Sequence, residues 1–285
     1  MISENLEQEA RQDKIPCTVG ILTLNCAELL KKCLESVKDF AEVIVMDGNS
    51  TDGTLEVAKQ YGCRIERQFA TQESNQVITD FSEVRNRLLK MASYDWYLSL
   101  DSDEFASAEL VDEVRKIIQE PQGVYLYNAP AKFVLNGKVI QYSSGYPGYE
   151  IYFFNLKKTD AHYVKSVHEV IDFNRTKYRL GNLKGGRLCL FNEVDTDFAI
   201  WKKKMGHYIK MQIAMTDDKN FFYFFKWRIY KQLILIAKAL IKITWVYLRH
   251  GFSETLPPRL EFQRVYFYVW LTGAYIADYF KKLFK

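Results

Sequence analysis

The chain has 285 residues, of which 48% are hydrophobic and 26% charged, with a net charge of +4. This apolar content excludes a wholly disordered chain, and the length suits one large α/β domain with an appended segment. The net charge is too small to name a partner, but it is unevenly spread: residues 226–285 carry 11 Lys/Arg against 3 Asp/Glu, and the chain from Phe221 onward holds 19 of the 43 aromatic residues.

The first 15 residues are polar and read as a tail with no apolar signal-peptide core. Thr18–Leu24 is then a short β-rich apolar run, and Ala27–Asp39 has helical spacing. Strands are predicted over Glu42–Met46, Arg64–Phe69 and Trp96–Leu100, and helices over Thr54–Tyr61 and Phe81–Met91. Strands separated by single helices imply a parallel sheet with right-handed crossovers, which binds ligands beyond its C-terminal strand ends. The pattern then changes to strands over Val124–Tyr127, Ala131–Leu135, Val139–Tyr142, Ile151–Phe154 and Leu188–Phe191, with Asn136-Gly137 as a hairpin signal. From Phe198 the reading is helical, broken at Gly251 and Pro257-Pro258. The expected organisation is a catalytic domain over 16–197 and a helical basic, aromatic segment over 198–285. The cysteines show no CxxC pair and no ligand-like spacing with His, which argues against structural zinc and a disulfide framework.

Two motifs carry chemistry. Asp101-Ser-Asp103-Glu104 follows an apolar strand directly, so two carboxylates at i and i+2 can meet one hard divalent cation, Mn²⁺ or Mg²⁺, and the phosphate oxygens it binds. The bland alternative is an acidic turn in which Asp103 caps the next helix. Asp47-Gly-Asn-Ser-Thr-Asp-Gly-Thr54 reads as strand end, tight turn and helix start, with Asp47 placed to accept hydrogen bonds from a base or ribose.

Together with Thr23-Leu-Asn25, Arg85-Asn86 and Val167-His168-Glu169, these motifs match the order and spacing of the family 2 glycosyltransferases. The chain most resembles their lipopolysaccharide-core β-glucosyltransferase branch. The resemblance is good over 18–105, fair to 170 and only compositional beyond about 200. It implies a GT-A (Rossmann-like) α/β fold with a mixed, mainly parallel sheet, and an inverting, metal-dependent transfer of a hexose from a UDP-sugar to a glycan or lipid-linked acceptor. It also implies site roles. Thr23, Asn25, Asp47, Arg85 and Asp101 line the nucleotide site, Asp103 is the direct metal ligand, and His168 completes the metal shell or meets phosphate. Glu169 is the candidate base, with Glu104 and Glu150 as rivals. The sequence departs from the branch at Tyr152, where Arg is usual, at Phe191 or Asn192, where His is usual, and in the turn Gly48-Asn49. A nucleotidyltransferase of similar fold ranks below this reading, since Leu24–Glu28 lacks a Gly-rich basic loop. A catalytically inactive membrane-bound scaffold is the other alternative.

Lys231, Lys238, Lys242 and Arg249 fall within about 40° of one another on a helix. On an otherwise apolar helix bearing Trp227 and Trp245, this stripe fits a peripheral position on an anionic membrane surface, expected at the inner, cytoplasmic face. Lys281, Lys282 and Lys285 extend the basic character. The longest uncharged apolar run near the C-terminus, Val265–Ala277, is shorter than the ~20 residues of a spanning helix. Nucleic acid is not expected, because the cations adjoin continuous aliphatic surface.

Overall fold

The computed structural model describes residues 14–146, 148–165, 169–190, 196–214, 216 and 220–283. The chain divides into two compact units, Met1–Lys132 with Pro147–Leu190, and Phe133–Tyr146 with Phe191–Lys285.

The first unit is a mixed α/β structure. Strands β1 (Ile15–Thr23), β2 (Phe40–Asp47), β3 (Arg64–Arg67) and β4 (Trp96–Asp101) pair in parallel in the order β3-β2-β1-β4. They are linked by helices α1 (Ala27–Ser36), α2 (Thr54–Gln60) and α3 (Phe81–Met91). The sheet continues past β4 with β8 (Gly148–Asn155), antiparallel to β4, and then β6 (Leu126–Leu135), antiparallel to β8. β5 (Glu104–Ala106) and β12 (Arg187–Leu190) pair antiparallel at its far edge. Helix α4 (Ala108–Gln119) follows β5, and Ser107 caps it by accepting from Leu110 N, so the cap role weighed for Asp103 belongs to Ser107. Strand β7 (Lys138–Val139) pairs with β6, as the Asn136-Gly137 signal implied. Strands β9 (His162–Val164) and β10 (Val170–Asp172) form a separate hairpin, and β11 (Leu180–Asn182) joins β6.

Both faces of the central strands are buried, in line with their near-continuous apolar sequence. Cys17, Val19 and Ile21 face α1, α2 and α4, through Leu30, Cys33, Leu34, Ala58, Leu110 and Val114. Leu22, Ile44, Met46 and Tyr97 face α3 and the β9–β10 hairpin, through Val84, Leu88, Tyr163 and Ile171. Gly20 lies under Tyr97 so closely that a Cβ there would sit 1.9 Å from the Tyr97 hydroxyl.

The second unit contains α5 (Phe198–Ala214), α6 (Phe221–Phe224), a π-helical turn (Phe225–Tyr230), α7 (Lys231–His250) and α8 (Pro258–Leu283). Phe133–Tyr146 belongs with it: Phe133, Leu135, Ile140 and Tyr146 pack with Leu256 and Leu260, and the buried Glu261 carboxylate accepts from Ser144 N and Oγ. Among the described residues no helix is long and apolar enough to cross a membrane.

Candidate active site

The register sets the site. Thr23 stands opposite Asp47, and Leu22 stands opposite Asp101, so β1, β2 and β4 end together at one sheet edge. Asp47 and Asp101 flank β1 from either side, about two strand spacings or ~10 Å apart.

On the β2 side Asp47 is buried, and its carboxylate accepts from Ser50 N (2.8 Å) and Ser50 Oγ (2.5 Å), which closes the turn. Asn49 occupies the left-handed region at φ 60°, which Asn tolerates with little strain. Its Nδ2 donates to Thr71 O and Glu73 O, so the Gly48-Asn49 departure anchors the following loop. Asp52 shapes the turn by accepting from Thr54 N and Ala27 N. Thr23 is buried, with Oγ1 2.7 Å from Cys26 Sγ. Asn25, also left-handed at φ 47°, accepts from Thr51 N and donates to Asn75 Oδ1. Thr23 and Asn25 thus brace the loops around Asp47. Asp47, Asn49, Ser50 and Arg67 line a cleft of about 370 Å³.

On the β4 side the network centres on Arg85, which is buried on α3. Its Nη2 donates to Asp101 Oδ1 (2.5 Å), its Nη1 to Ser99 Oγ (3.0 Å) and its Nε to Glu169 Oε1 (2.7 Å). The guanidinium expected to face a nucleotide is therefore committed to two carboxylates and a serine. Burial opposes the charge on Arg85, but Asp101, Tyr163 and Glu169 more than offset it and hold the group protonated. Desolvation by the surrounding protein works to raise Asp101, weakly since its side chain is 43% exposed, and Arg85 wins, keeping that carboxyl below its ordinary range. Asp103 is exposed on the turn after β4. His168, Phe191 and Asn192 lie outside the described residues.

A second buried guanidinium, Arg187 on β12, was not foreseen. It pairs with Glu104 Oε1, lies 3.4 Å from Glu150 Oε2, and stacks 3.3 Å from the centre of the Tyr152 ring. The ring standing where the resembled branch carries Arg is thus covered by a guanidinium from another strand. The sequence signal for it was Gly185-Gly186 just ahead: a Cβ at Gly185 would sit 2.1 Å from Leu110 N, and one at Gly186 2.7 Å from Pro130 O. Burial pushes the Glu104 carboxyl up to about 7 against the pull of Arg187. Arg85, Glu150, Glu169, Tyr149, Tyr152 and Tyr163 are among the residues lining a cavity of about 280 Å³.

The donor chemistry near Asp101 fits one kind of metal. No group of three or more His, Cys, Asp or Glu side chains able to cage an ion occurs among the described residues. Two carboxylates on a strand-end turn instead suit Mg²⁺ or Mn²⁺ carried in with a diphosphate, which needs only one or two protein carboxylates.

The stripe Lys231, Lys238, Lys242 and Arg249 belongs to the other unit and is exposed along α7. Beside it Ile241 is 69%, Trp245 57% and Leu248 83% exposed, and Arg249 lies 5.4 Å from the Trp245 ring centre. Lys282 pairs with Asp278 at 2.7 Å, and Lys285 lies outside the described residues.

Comparison with known proteins bears on the family of the chain. Residues 18–176 match the model of glycosyl transferase family 2, more than half of the chain. The SPbeta prophage-derived glycosyltransferase SunS of Bacillus subtilis is 31% identical over 146 residues, covering 45% of this chain and 33% of that protein. The lipopolysaccharide core biosynthesis glycosyltransferase LpsC of Rhizobium meliloti is 29% identical over 91 residues, covering 32% of this chain and 33% of that one. The matches thus span about a third of these curated relatives. Staphylococcus aureus TarS 1-349 in complex with UDP-GlcNAc superimposes over 92% of this chain and 91% of its own, at 17% identity and a TM-score of 0.46, a likeness too loose to carry any argument. The family match, covering the Asp47 turn, Arg85, the Asp101–Asp103 strand end and Glu169, shows that the chain belongs to glycosyl transferase family 2.

Proposed function

We propose that this protein is an inverting glycosyltransferase of GT-A type that moves a sugar, a hexose, from a UDP-sugar to a hydroxyl of a glycan or lipid-linked acceptor in envelope polysaccharide synthesis. The observation that carries the reading is the joining of Arg85, Asp101 and Glu169 from separate elements at the end of β4, in a chain of this family. In this reading the base and ribose occupy the cleft beside Asp47, and Thr23 and Asn25 hold its walls. Asp101 and Asp103, with His168, would hold Mn²⁺ or Mg²⁺, which when bound neutralises charge building on the leaving diphosphate.

Glu169 Oε1 is taken by Arg85, while Oε2 accepts no hydrogen bond among the described residues. Oε2 is the atom that receives the acceptor's proton. As it does, the acceptor oxygen bonds to the anomeric carbon on the face opposite the diphosphate. The carbon–oxygen bond to the phosphate breaks, and its electron pair departs on the phosphate oxygen. Arg85 holds both carboxylates in place, so the reactants meet with little further ordering. The test is UDP release from UDP-glucose with Mn²⁺. Asp103→Ala is expected to lose ~10²-fold or more, the scale of a lost electrostatic partner; equal turnover by the alanine form would remove the metal role.

We also infer that the exposed face of α7 rests on an anionic membrane surface. Ile241, Trp245 and Leu248 supply an apolar stripe, and Lys231, Lys238, Lys242 and Arg249 supply a cationic border to meet lipid headgroups.

A further inference from the structure

The 280 Å³ cavity beside Glu169 has a lining that constrains its occupant. Its two carboxylates, Glu150 and Glu169, are each half engaged. Glu169 Oε1 takes Arg85 Nε, and Glu150 Oε2 takes the Tyr152 hydroxyl at 2.8 Å with Arg187 Nη2 beyond it. Among the described residues, Glu169 Oε2 and Glu150 Oε1 accept nothing. Water can serve these oxygens while the cavity is open, the Glu150 side chain being 66% exposed, and an occupant that displaces it must bring donors of its own. Amines are poor candidates, because the lining already sets the cations Arg85 and Arg175 against Glu150 and Glu169. Hydroxyl groups satisfy both conditions.

The rest of the wall is aromatic and aliphatic. Tyr163 is buried, and one face of the Tyr152 ring is covered by Arg187. Tyr149 differs: it is 49% exposed, and no described residue bonds its hydroxyl. It offers an open ring against which an apolar face can lie. The volume lies just below the ~300–1,000 Å³ of drug-sized sites, so it suits a single small ring.

We infer that this cavity seats the acceptor as a polyhydroxylated ring, a sugar, stacked on Tyr149 with its hydroxyls donating to Glu150 and Glu169. Calling the ring an acceptor rests on the transferase reading above; its binding does not. Tyr149 and Glu150 thereby become residues that select the acceptor.

The experiment is saturation-transfer NMR on the full chain with methyl β-D-glucopyranoside and methyl β-D-galactopyranoside, with and without UDP and Mn²⁺. Ring-proton signals are expected from the wild type. Tyr149→Phe keeps them, Tyr149→Ala weakens binding by ~10-fold, the upper scale of an aromatic contact, and Glu150→Gln weakens it as well. Lys116→Ala, outside the cavity, leaves binding unchanged, and thermal melts verify that each variant is folded. Absence of signal from both glycosides in the wild type, or signal indifferent to Tyr149→Ala, overturns the proposal. UDP release is read separately. Glycoside binding without UDP release would retire the transferase reading and leave the cavity's ligand class standing, whereas UDP release with Tyr149-independent binding would do the reverse.

Discussion

Arg85 shows how one side chain organises the chemistry. A guanidinium presents donors in a rigid fork, and here that fork spans the strand end and the segment bearing Glu169. Arg85→Lys retains the charge but cannot serve Ser99, Asp101 and Glu169 together. Its UDP-release rate is expected to fall ~10²-fold, with KM for the donor changing less. Arg85→Ala leaves Asp101 and Glu169, both only partly buried, without their counter-charge and is expected to cost ~1–3 kcal/mol, read as a lower denaturant midpoint. Glu42 gives a pH prediction far from the site. Burial raises its pKa, yet hydrogen bonds from Thr18 Oγ1, Ser93 Oγ and Ser93 N win and hold it below the usual carboxylate range. A lowered native pKa adds stability that is present above the unfolded value, near 4.5, and lost as pH falls through the folded one. Glu42→Gln should therefore flatten the acid limb of the stability–pH curve, measured by urea melts between pH 3 and 7. Asp47, Asp101 and Asp103 were legible as site candidates because each follows an apolar strand run. The true setting of Arg85 was not, since its partner Glu169 lies 84 residues away in the chain. Nor was Arg187, whose burial depends on strands that pair only in three dimensions.

At the scale of elements, legibility followed length and periodicity. The four parallel strands and three intervening helices read clearly because both faces of the strands are apolar and each helix shows one apolar side. Strands β5, β9, β10 and β11 have three residues each, too few to carry an alternation. Helix α4 carries Leu110, Val114, Ile117 and Ile118 at helical spacing, but five charged residues between Glu109 and Lys116 dilute the signal. The predicted strands 124–127 and 131–135 form a single strand, β6, through Pro130. Packing between β1 and β4 yields a direct test at Gly20. Gly20→Ala places a methyl on the Tyr97 hydroxyl and is expected to destabilise by ~1–3 kcal/mol, the usual cost of overpacking. The double variant Gly20→Ala with Tyr97→Phe should recover part of that loss, and thermal melts would reveal it.

For the whole molecule, net positive charge and exposed apolar surface are concentrated in the C-terminal helices, where the sequence already showed 11 basic and 3 acidic residues. A soluble surface seldom carries Ile241, Trp245 and Leu248 side by side in the open. Co-sedimentation with vesicles should be strong for phosphatidylglycerol mixtures, weak for phosphatidylcholine alone, and reduced by 0.5 M salt. Lys238→Glu with Lys242→Glu should cut binding by ~10-fold or more, at about 1 kcal/mol for each lysine near the surface. Equal sedimentation on neutral vesicles would point to apolar contact alone.

The π-helical turn at Phe225–Tyr230 has its own bearing on that surface. Such a turn holds one residue more than an α-turn, so it resets the rotational phase of everything after it. Removing a single residue there would let α6 and α7 run as one regular α-helix with their present facing kept, whereas winding the same residues as α-helix would swing the downstream side chains by about 100°. Ile241, Trp245 and Leu248 would then point away from the direction they now share with the basic residues' solvent side relative to Phe221–Phe224. The placement of one hydrogen bond thus decides which way twenty residues face.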